Sequence, residues 1–120
     1  MPNSYPSTLI GAALASALLA GAASAADVCA VETPYTALAH RDFVIRLYEP
    51  DDLKHPEIWQ GPICVYRPSA TLVCGVDLSL LRDARVEGQY LHITQFSGSN
   101  LQRVRMELAT CRIEDRPPRP

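Results

Sequence analysis

Residues 82–111 read RDARVE-GQ-YLHITQF-SGSN-LQRVRMELATC, and this stretch decides the fold class. Three segments alternate polar with apolar side chains, which is typical of β-strands that bury one face. They are separated by Gly88-Gln89 and by residues 97–100, and glycine in the first position of a two-residue loop favours a type II′ hairpin turn. The pattern predicts an antiparallel meander with strands at 82–87, 90–96 and 101–111.

The two turns define both strand registers, and the registers agree about which side chains share a face. The first turn places Arg85 opposite His92, and the second places Arg105 on the other side of the same histidine. The first register also pairs Ala84 with Ile93. A slip of one residue in either hairpin would mix the two faces. The apolar face comprises Ala84, Val86, Leu91, Ile93, Val104 and Met106, and the polar face comprises Arg85, Glu87, Tyr90, His92, Thr94, Arg103, Arg105 and Glu107.

The chain before the meander predicts further short elements. Residues 43–48 are rich in β-branched and aromatic side chains, which favours a strand. Residues 49–62 contain three prolines and the only tryptophan, Trp59, and are expected to form a loop. Residues 33–39 are compatible with a short helix opened by proline or with a bent edge strand. Residues 77–81 predict a single helical turn.

The amino-terminal leader predicts export. Residues 1–26 contain no charged side chain, and residues 9–23 are a continuous run of small and apolar residues. The run is shorter than the roughly 20 residues of a membrane-spanning helix and ends in the cleavage pattern Ala23-Ser24-Ala25. We therefore expect a signal peptide at 1–25, with an uncleaved anchor as the alternative, and a periplasmic or secreted protein with no stable membrane span after cleavage.

Four cysteines in an exported chain predict two disulfides. Residues 63–67 and 71–76 should form a hairpin with a three-residue loop, which places Cys64 opposite Cys74 at a separation that suits a cross-strand bridge. The remaining pair, Cys29–Cys111, would join the ends of the mature domain. The sequence thus predicts an all-β domain at 26–114, a small antiparallel sandwich or half-open barrel, followed by an extended Pro/Arg tail at 115–120.

Charge and motif content bear on several classes of function. The formal net charge is -2, which argues against general attraction to nucleic acid or anionic lipid. No pair of histidines has the short spacing of zinc ligands, so no metal and no cofactor are expected. The residues considered for a metal site are His40, His55, His92, Asp42, Asp51 and Asp52.

Two candidate binding regions stand out. The polar face of the meander gathers guanidinium groups around one imidazole, an arrangement that suits a carboxylate, a phosphate or an acidic protein surface. Its residues are Arg85, Tyr90, His92, Arg103 and Arg105. The alternative is a solvated sheet face of mixed charges. Trp59 is either an exposed anchor for a partner or a loop residue folded back onto the core.

Three functions follow from these features, in order of preference. The first is an exported binding or inhibitory module that docks an unknown, acidic protein or envelope component through the Arg/His face or the Trp59 loop. The second is a small secreted hydrolase of phosphodiesters in which His92 and either Glu107 or Glu87 exchange the proton while the arginines hold the phosphate. The third is a structural subunit of the cell envelope whose meander edge pairs with another chain. An enzyme is the less favoured interpretation.

Overall fold

The computed structural model describes residues 24–115, which form one short helix and two antiparallel sheets. In chain order the elements are α1 (Ala25–Val28), β1 (Tyr35–Ala39), β2 (Val44–Tyr48), β3 (Ile58–Trp59), β4 (Ile63–Tyr66), β5 (Leu72–Val76), β6 (Leu81–Glu87), β7 (Tyr90–Ser97), β8 (Asn100–Glu107) and β9 (Ile113–Asp115). One sheet has the strand order β1-β2-β4-β5 and the other β3-β6-β7-β8-β9. The sheets do not close into a barrel, so the all-β class is confirmed in its open form.

The hydrophobic core draws on both sheets. Ile45 and Leu47 of β2 and Val65 of β4 are fully buried in the four-stranded sheet, and Leu91 and Met106 are fully buried in the five-stranded sheet. Along β8 and the first four residues of β2 the buried positions alternate with more exposed ones, as the period of two requires, whereas Ile63, Cys64 and Val65 of β4 are buried in succession. Burying each such side chain contributes about 1.5–3 kcal/mol, so the apolar pattern of the strands also holds the two sheets together.

The meander is confirmed, with one local difference. Strands β7 and β8 pair in the predicted register along their whole length, and β6 pairs with β7 as predicted as far as Arg85 opposite His92. The predicted pair Ala84–Ile93 is wrong because β6 contains a bulge at this point, where Asp83 adopts a φ of 55°. A bulge adds one residue to one strand and shifts the register beyond it.

Both edges of the meander are covered by short strands that the sequence pattern did not predict. Strand β3 pairs with β6, and β9 pairs with β8. The expected loop at 49–62 therefore contains a two-residue strand, and β8 ends at Glu107 rather than continuing to Cys111. Asp115 belongs to β9, so the predicted tail begins at least one residue too early; residues 116–120 lie outside the described residues.

The predicted disulfide pairing is wrong. The bonds observed are Cys29–Cys64 and Cys74–Cys111 rather than Cys64–Cys74 and Cys29–Cys111. The three-residue hairpin loop is present, because the Arg67 N–H donates to the Thr71 carbonyl at 2.8 Å.

A register shift beyond that loop separates the two sulfurs of the hairpin. Beyond Tyr66 opposite Leu72, the next residue of β4 pairs with Cys74, which leaves Val73 unpaired and places Cys64 opposite Gly75. Consecutive residues of a strand point to opposite faces, so the extra residue sends the two cysteines to opposite sides of the sheet.

The two bonds hold different parts of the fold. Cys74 and Cys111 belong to the core, where their bond connects the two sheets. Cys29 follows α1 and reaches Cys64 on the outer side of the four-stranded sheet. A side-chain carbon on Gly75 would overlap the Cys29 sulfur, so this position requires glycine.

The remaining local expectations have mixed outcomes. Residues 35–39 form a strand, which decides against the helical alternative, and no helical turn forms at 77–81. Helix α1 was not predicted; the Ser24 hydroxyl caps it by accepting a hydrogen bond from the Asp27 N–H at 3.1 Å. Of the predicted signal peptide at 1–25, only Ser24 and Ala25, the last two residues of its cleavage pattern, are among the described residues.

Candidate functional site

The outer side of the five-stranded sheet carries the residues that the sequence singled out. We call Arg85, Tyr90, His92, Arg103 and Arg105 the arginine face. Strands β6, β7 and β8 place Arg85, His92 and Arg105 in one cross-strand row, as predicted. The face is drier than expected of a solvated sheet, because His92 is 9% exposed and Thr94 is 8% exposed.

Most cations of the arginine face already contact a carboxylate. Glu87 lies 3.8 Å from Arg85 and 3.3 Å from His92 Nε2. Arg105 packs over the Tyr90 ring at 4.2 Å, and its Nε donates to Glu114 Oε1 at 3.2 Å. Arg105 is thus occupied by the same chain, which leaves little free charge for a ligand on this face.

Two observations describe how Arg105 is held. Its Nη2 also donates to the same oxygen of Glu114, so the Nε–Nη2 edge of the guanidinium is fully used. The hydrogen bond from Arg105 lowers the pKa of Glu114 below its ordinary value, and the same bond raises the pKa of Arg105. Arg103 is exposed and forms no ion pair within residues 24–115.

Of the two carboxylates considered for proton exchange with His92, the structure places Glu87 beside it, 3.3 Å from Nε2. Glu107 accepts a hydrogen bond from the Thr110 hydroxyl at 2.7 Å and lies opposite Tyr90, in the adjacent cross-strand row. Glu87 is therefore the partner that the hydrolase hypothesis would use, and that hypothesis stays a prediction.

Trp59 lies in the core rather than on the surface. Its side chain is 6% exposed, and its Nε1–H donates to the Thr36 hydroxyl at 3.1 Å. Because Trp59 belongs to β3 and Thr36 to β1, this bond joins the two sheets. The structure therefore agrees with the interpretation of a residue folded back onto the core, and Trp59 is not available as an exposed anchor.

A second cluster, on the outer side of the four-stranded sheet, was not singled out from the sequence. We call Tyr35, Arg46, Tyr48 and Tyr66 the tyrosine face. Strand β2 contributes Arg46 and Tyr48, and the neighbouring strands β1 and β4 contribute Tyr35 and Tyr66. The cross-strand pair Tyr35–Tyr48 brings these two rings to a centroid distance of 5.3 Å.

Arg46 lies at the centre of the tyrosine face. Its guanidinium carbon is 4.4 Å from the centroid of Tyr35 and 4.3 Å from that of Tyr66. Its Nη1 donates to the Tyr48 hydroxyl at 3.3 Å, and this bond raises the pKa of Arg46 above its ordinary value. The guanidinium is thus held by aromatic rings and a hydroxyl, in the manner of a cation–π site.

Arg46 differs from Arg105 in what it lacks. Its Nε is buried and makes no hydrogen bond within the described residues, and no carboxylate between residues 24 and 115 forms an ion pair with it. A buried donor without an acceptor is unusual, because it loses its hydration without replacement and costs about 1–3 kcal/mol. Such a donor calls for an acceptor from outside the described chain.

The rings around Arg46 differ in exposure. Tyr48 is 2% exposed, Tyr66 is half-buried and Tyr35 is 44% exposed. Burial first, and then the hydrogen bond with Tyr48, raise the pKa of Tyr66 above its ordinary value. Beside the rings, β1 presents only the small, exposed side chains of Ala37 and Ala39, and Ala37 lies directly opposite Arg46. The cluster is therefore approachable from the β1 edge.

One feature of the sequence does point to the tyrosine face in retrospect. The period-two pattern of residues 44–48 places Val44, Arg46 and Tyr48 on one side and two core aliphatics on the other. The positions of Tyr35 and Tyr66 depend on pairing with β1 and β4, which the local pattern does not specify. An arginine between the apolar positions of a strand was the available signal.

Comparison with known proteins does not identify the chain. No protein-family model, no curated protein and no solved structure matches it. Within residues 24–115, no helix has the length and apolar character needed to cross a membrane. The same described residues contain no cluster of three or more His, Cys, Asp or Glu side chains arranged to hold a metal ion.

Proposed function

We propose that this protein is an exported, disulfide-stapled binding module that docks a protein partner through the tyrosine face. The observation that carries the proposal is Arg46, half-buried among three tyrosines and without a carboxylate partner in the described structure. Tyrosine and arginine are the residue types most enriched among the energetically dominant positions of protein interfaces. A partly buried cluster of both is therefore a suitable docking surface.

Two further features support a binding role. Both disulfides require an oxidising environment to form, which agrees with export. The Cys29–Cys64 bond attaches α1 to the same sheet that carries the tyrosine face. The backbone of a stapled sheet is pre-organised, so it loses little conformational entropy when a partner binds.

The arginine face is the weaker candidate for docking. Glu87 lies beside Arg85 and His92, and Glu114 pairs with Arg105, so a partner would have to displace existing contacts. The exposed pair Arg85–Glu87 contributes less than about 1 kcal/mol. We therefore assign the docking role to the tyrosine face and treat the arginine face as the control surface.

A capture experiment with matched variants tests this assignment. The mature protein would be immobilised and exposed to the envelope fraction of its source cells, beside the double variants Tyr35→Ala/Tyr66→Ala and Arg85→Glu/Arg103→Glu. We expect the first variant to capture at least tenfold less partner than the unmodified protein, and the second to capture as much as the unmodified protein. Circular dichroism and thermal unfolding would establish that each variant is folded.

The opposite pattern would contradict the proposal. If the Tyr35→Ala/Tyr66→Ala variant captures as much partner as the unmodified protein while Arg85→Glu/Arg103→Glu captures none, the docking surface is the arginine face. Equal capture by all three proteins would place the contact on neither of these surfaces.

A further inference from the structure

We propose that the Nε–Nη2 edge of Arg46 binds a carboxylate side chain, Asp or Glu, from an extended segment of the partner lying along β1. This inference rests on the proposed function and names the chemistry that the tyrosine face recognises.

The two half-buried arginines in residues 24–115 provide the first argument. Arg105 uses Nε and Nη2 together on one carboxylate, that of Glu114. In Arg46, Nη1 is occupied by Tyr48, and Nε has no acceptor within the described chain. The edge that holds a carboxylate in Arg105 is therefore the unused edge in Arg46, and Nε together with Nη2 is a geometry that favours bidentate carboxylate binding.

The flanking rings restrict the shape of the ligand. Tyr35 and Tyr66 come from the two strands on either side of β2, and their centroids lie 4.4 Å and 4.3 Å from the guanidinium carbon. A group that reaches Nε must therefore approach close to the plane of the guanidinium. A flat carboxylate fits this approach better than a tetrahedral phosphate. Tyr35 lies on the edge strand and is 44% exposed, so its ring is the one that turns to uncover Nε.

The direction of approach favours a side chain over a chain terminus. Ala37 lies opposite Arg46 on β1, and its small side chain leaves the path across the strand open. Strand β1 is the edge of its sheet, so an extended segment of the partner can lie beside it. The segment would continue on both sides of the residue that carries the carboxylate and would fix its position. A carboxylate at the end of a chain would be fixed by the residues on one side only.

Peptide titration of the mature protein tests the chemistry. The probes are acetyl-Thr-Val-Glu-Val-Thr-amide, the same peptide with Gln in place of Glu, acetyl-Thr-Val-Ala-Val-Thr with a free carboxyl end, and inorganic phosphate. The readout is the NMR signal of the Arg46 Nε–H, assigned by its absence in Arg46→Gln. We expect the Glu peptide to shift this signal saturably, with a dissociation constant at least tenfold below those of the other three probes.

An internal carboxylate makes the test independent of the peptide sequence. The variant Ala37→Glu places a carboxylate on the residue opposite Arg46, where cross-strand side chains are in contact. We expect it to shift the Arg46 Nε–H signal without any probe and to abolish the response to the Glu peptide. The isosteric control Ala37→Gln should do neither.

The outcomes separate this inference from the proposed function. The inference that Arg46 binds a carboxylate side chain would be overturned by equal responses to the Glu and Gln peptides, or by an Arg46 Nε–H signal that Ala37→Glu leaves unchanged. A stronger response to the peptide with the free carboxyl end, or to phosphate, would identify that group as the ligand instead. If Arg46→Gln captures the partner as well as the unmodified protein while Tyr35→Ala/Tyr66→Ala does not, the tyrosine face is still the docking surface, but Arg46 does not bind a carboxylate of the partner.

Discussion

The two outer faces of this sandwich each carry a half-buried arginine, and the two arginines differ in their hydrogen-bond partners. On the five-stranded sheet, Arg105 lies over Tyr90 and uses two donors on Glu114. On the four-stranded sheet, Arg46 lies between two tyrosine rings, and its hydrogen-bond acceptor within the described residues is the Tyr48 hydroxyl. The aromatic contact is common to both, so the carboxylate is what distinguishes them.

This difference separates a structural cation from an available one. An arginine whose donors are satisfied within its own chain offers a ligand little, because binding would first break the existing pair. An arginine that is already partly desolvated and lacks a counter-charge has paid much of the desolvation cost before a ligand arrives. The following predictions test whether the two faces differ in this way.

The largest difference should appear when a ring is removed from each face. Tyr48 is almost completely buried, so Tyr48→Ala should lower the free energy of unfolding by about 3–5 kcal/mol. The matched variant Tyr90→Ala removes a half-buried ring and should cost about 1 kcal/mol. Urea unfolding of both variants measures the difference, and similar losses would show that the two faces are equally integrated into the fold.

Removing one hydroxyl should have a smaller effect on the tyrosine face. Tyr48→Phe keeps the ring but deprives Arg46 Nη1 of its acceptor, at an expected cost of about 1 kcal/mol. The pKa of Tyr66 should fall towards its ordinary value and stay above it, because burial remains the larger cause of its elevation. Spectrophotometric titration of the tyrosines measures this change, and an unaltered titration would contradict the proposed coupling.

Acid sensitivity should belong to the arginine face. Arg105 lowers the pKa of Glu114 in the folded protein, so the unfolded chain binds this proton at a higher pH than the folded chain. The stabilisation is therefore complete above the ordinary carboxyl pKa of 4.5 and is lost as the pH falls through the lower folded value. Glu114→Gln should remove this part of the dependence when urea midpoints are measured from pH 7 to pH 2. A steeper dependence in the variant would oppose this account.

The smallest effect is expected at the rim of the arginine face. Arg85 and Glu87 are well exposed and 3.8 Å apart, so Arg85→Ala should change the free energy of unfolding by less than about 0.5 kcal/mol. Thermal unfolding at low and high salt provides the measurement. A loss that grows at low salt would indicate a network of charges on this face rather than separate pairs.

The meander could be predicted from sequence because all of its information is local. The period-two pattern and the glycines at 88 and 98 define the strands and turns, and both glycines adopt the positive φ that such turns require. The prediction lost accuracy where other residues adopt positive φ. Asp83, with φ 55°, marks the bulge in β6. Aspartate adopts positive φ more often than most residues, but a single aspartate in a strand pattern does not specify a bulge.

The disulfides and the tyrosine face could not be predicted, for two different reasons. The pairing depended on a single extra residue, Val73, in a strand whose apolar composition is compatible with either register. The cluster around Arg46 depends on contacts between β2 and the strands on both sides of it. Local patterns specify which residues of one strand lie on the same face of the sheet. They do not specify which residues of a neighbouring strand pack against them.

The position of Val73 also determines which thiols can meet while the chain matures. Cysteines close in sequence collide most often, so a short hairpin would ordinarily favour an early bond between Cys64 and Cys74. Once β4 and β5 pair, the two sulfurs are on opposite sides of a sheet and can no longer react with each other. The native bonds then join the first cysteine to the second and the third to the fourth. If the chain is exported as proposed, its thiols would reach the oxidising compartment in this order, and vectorial delivery would favour the native connectivity.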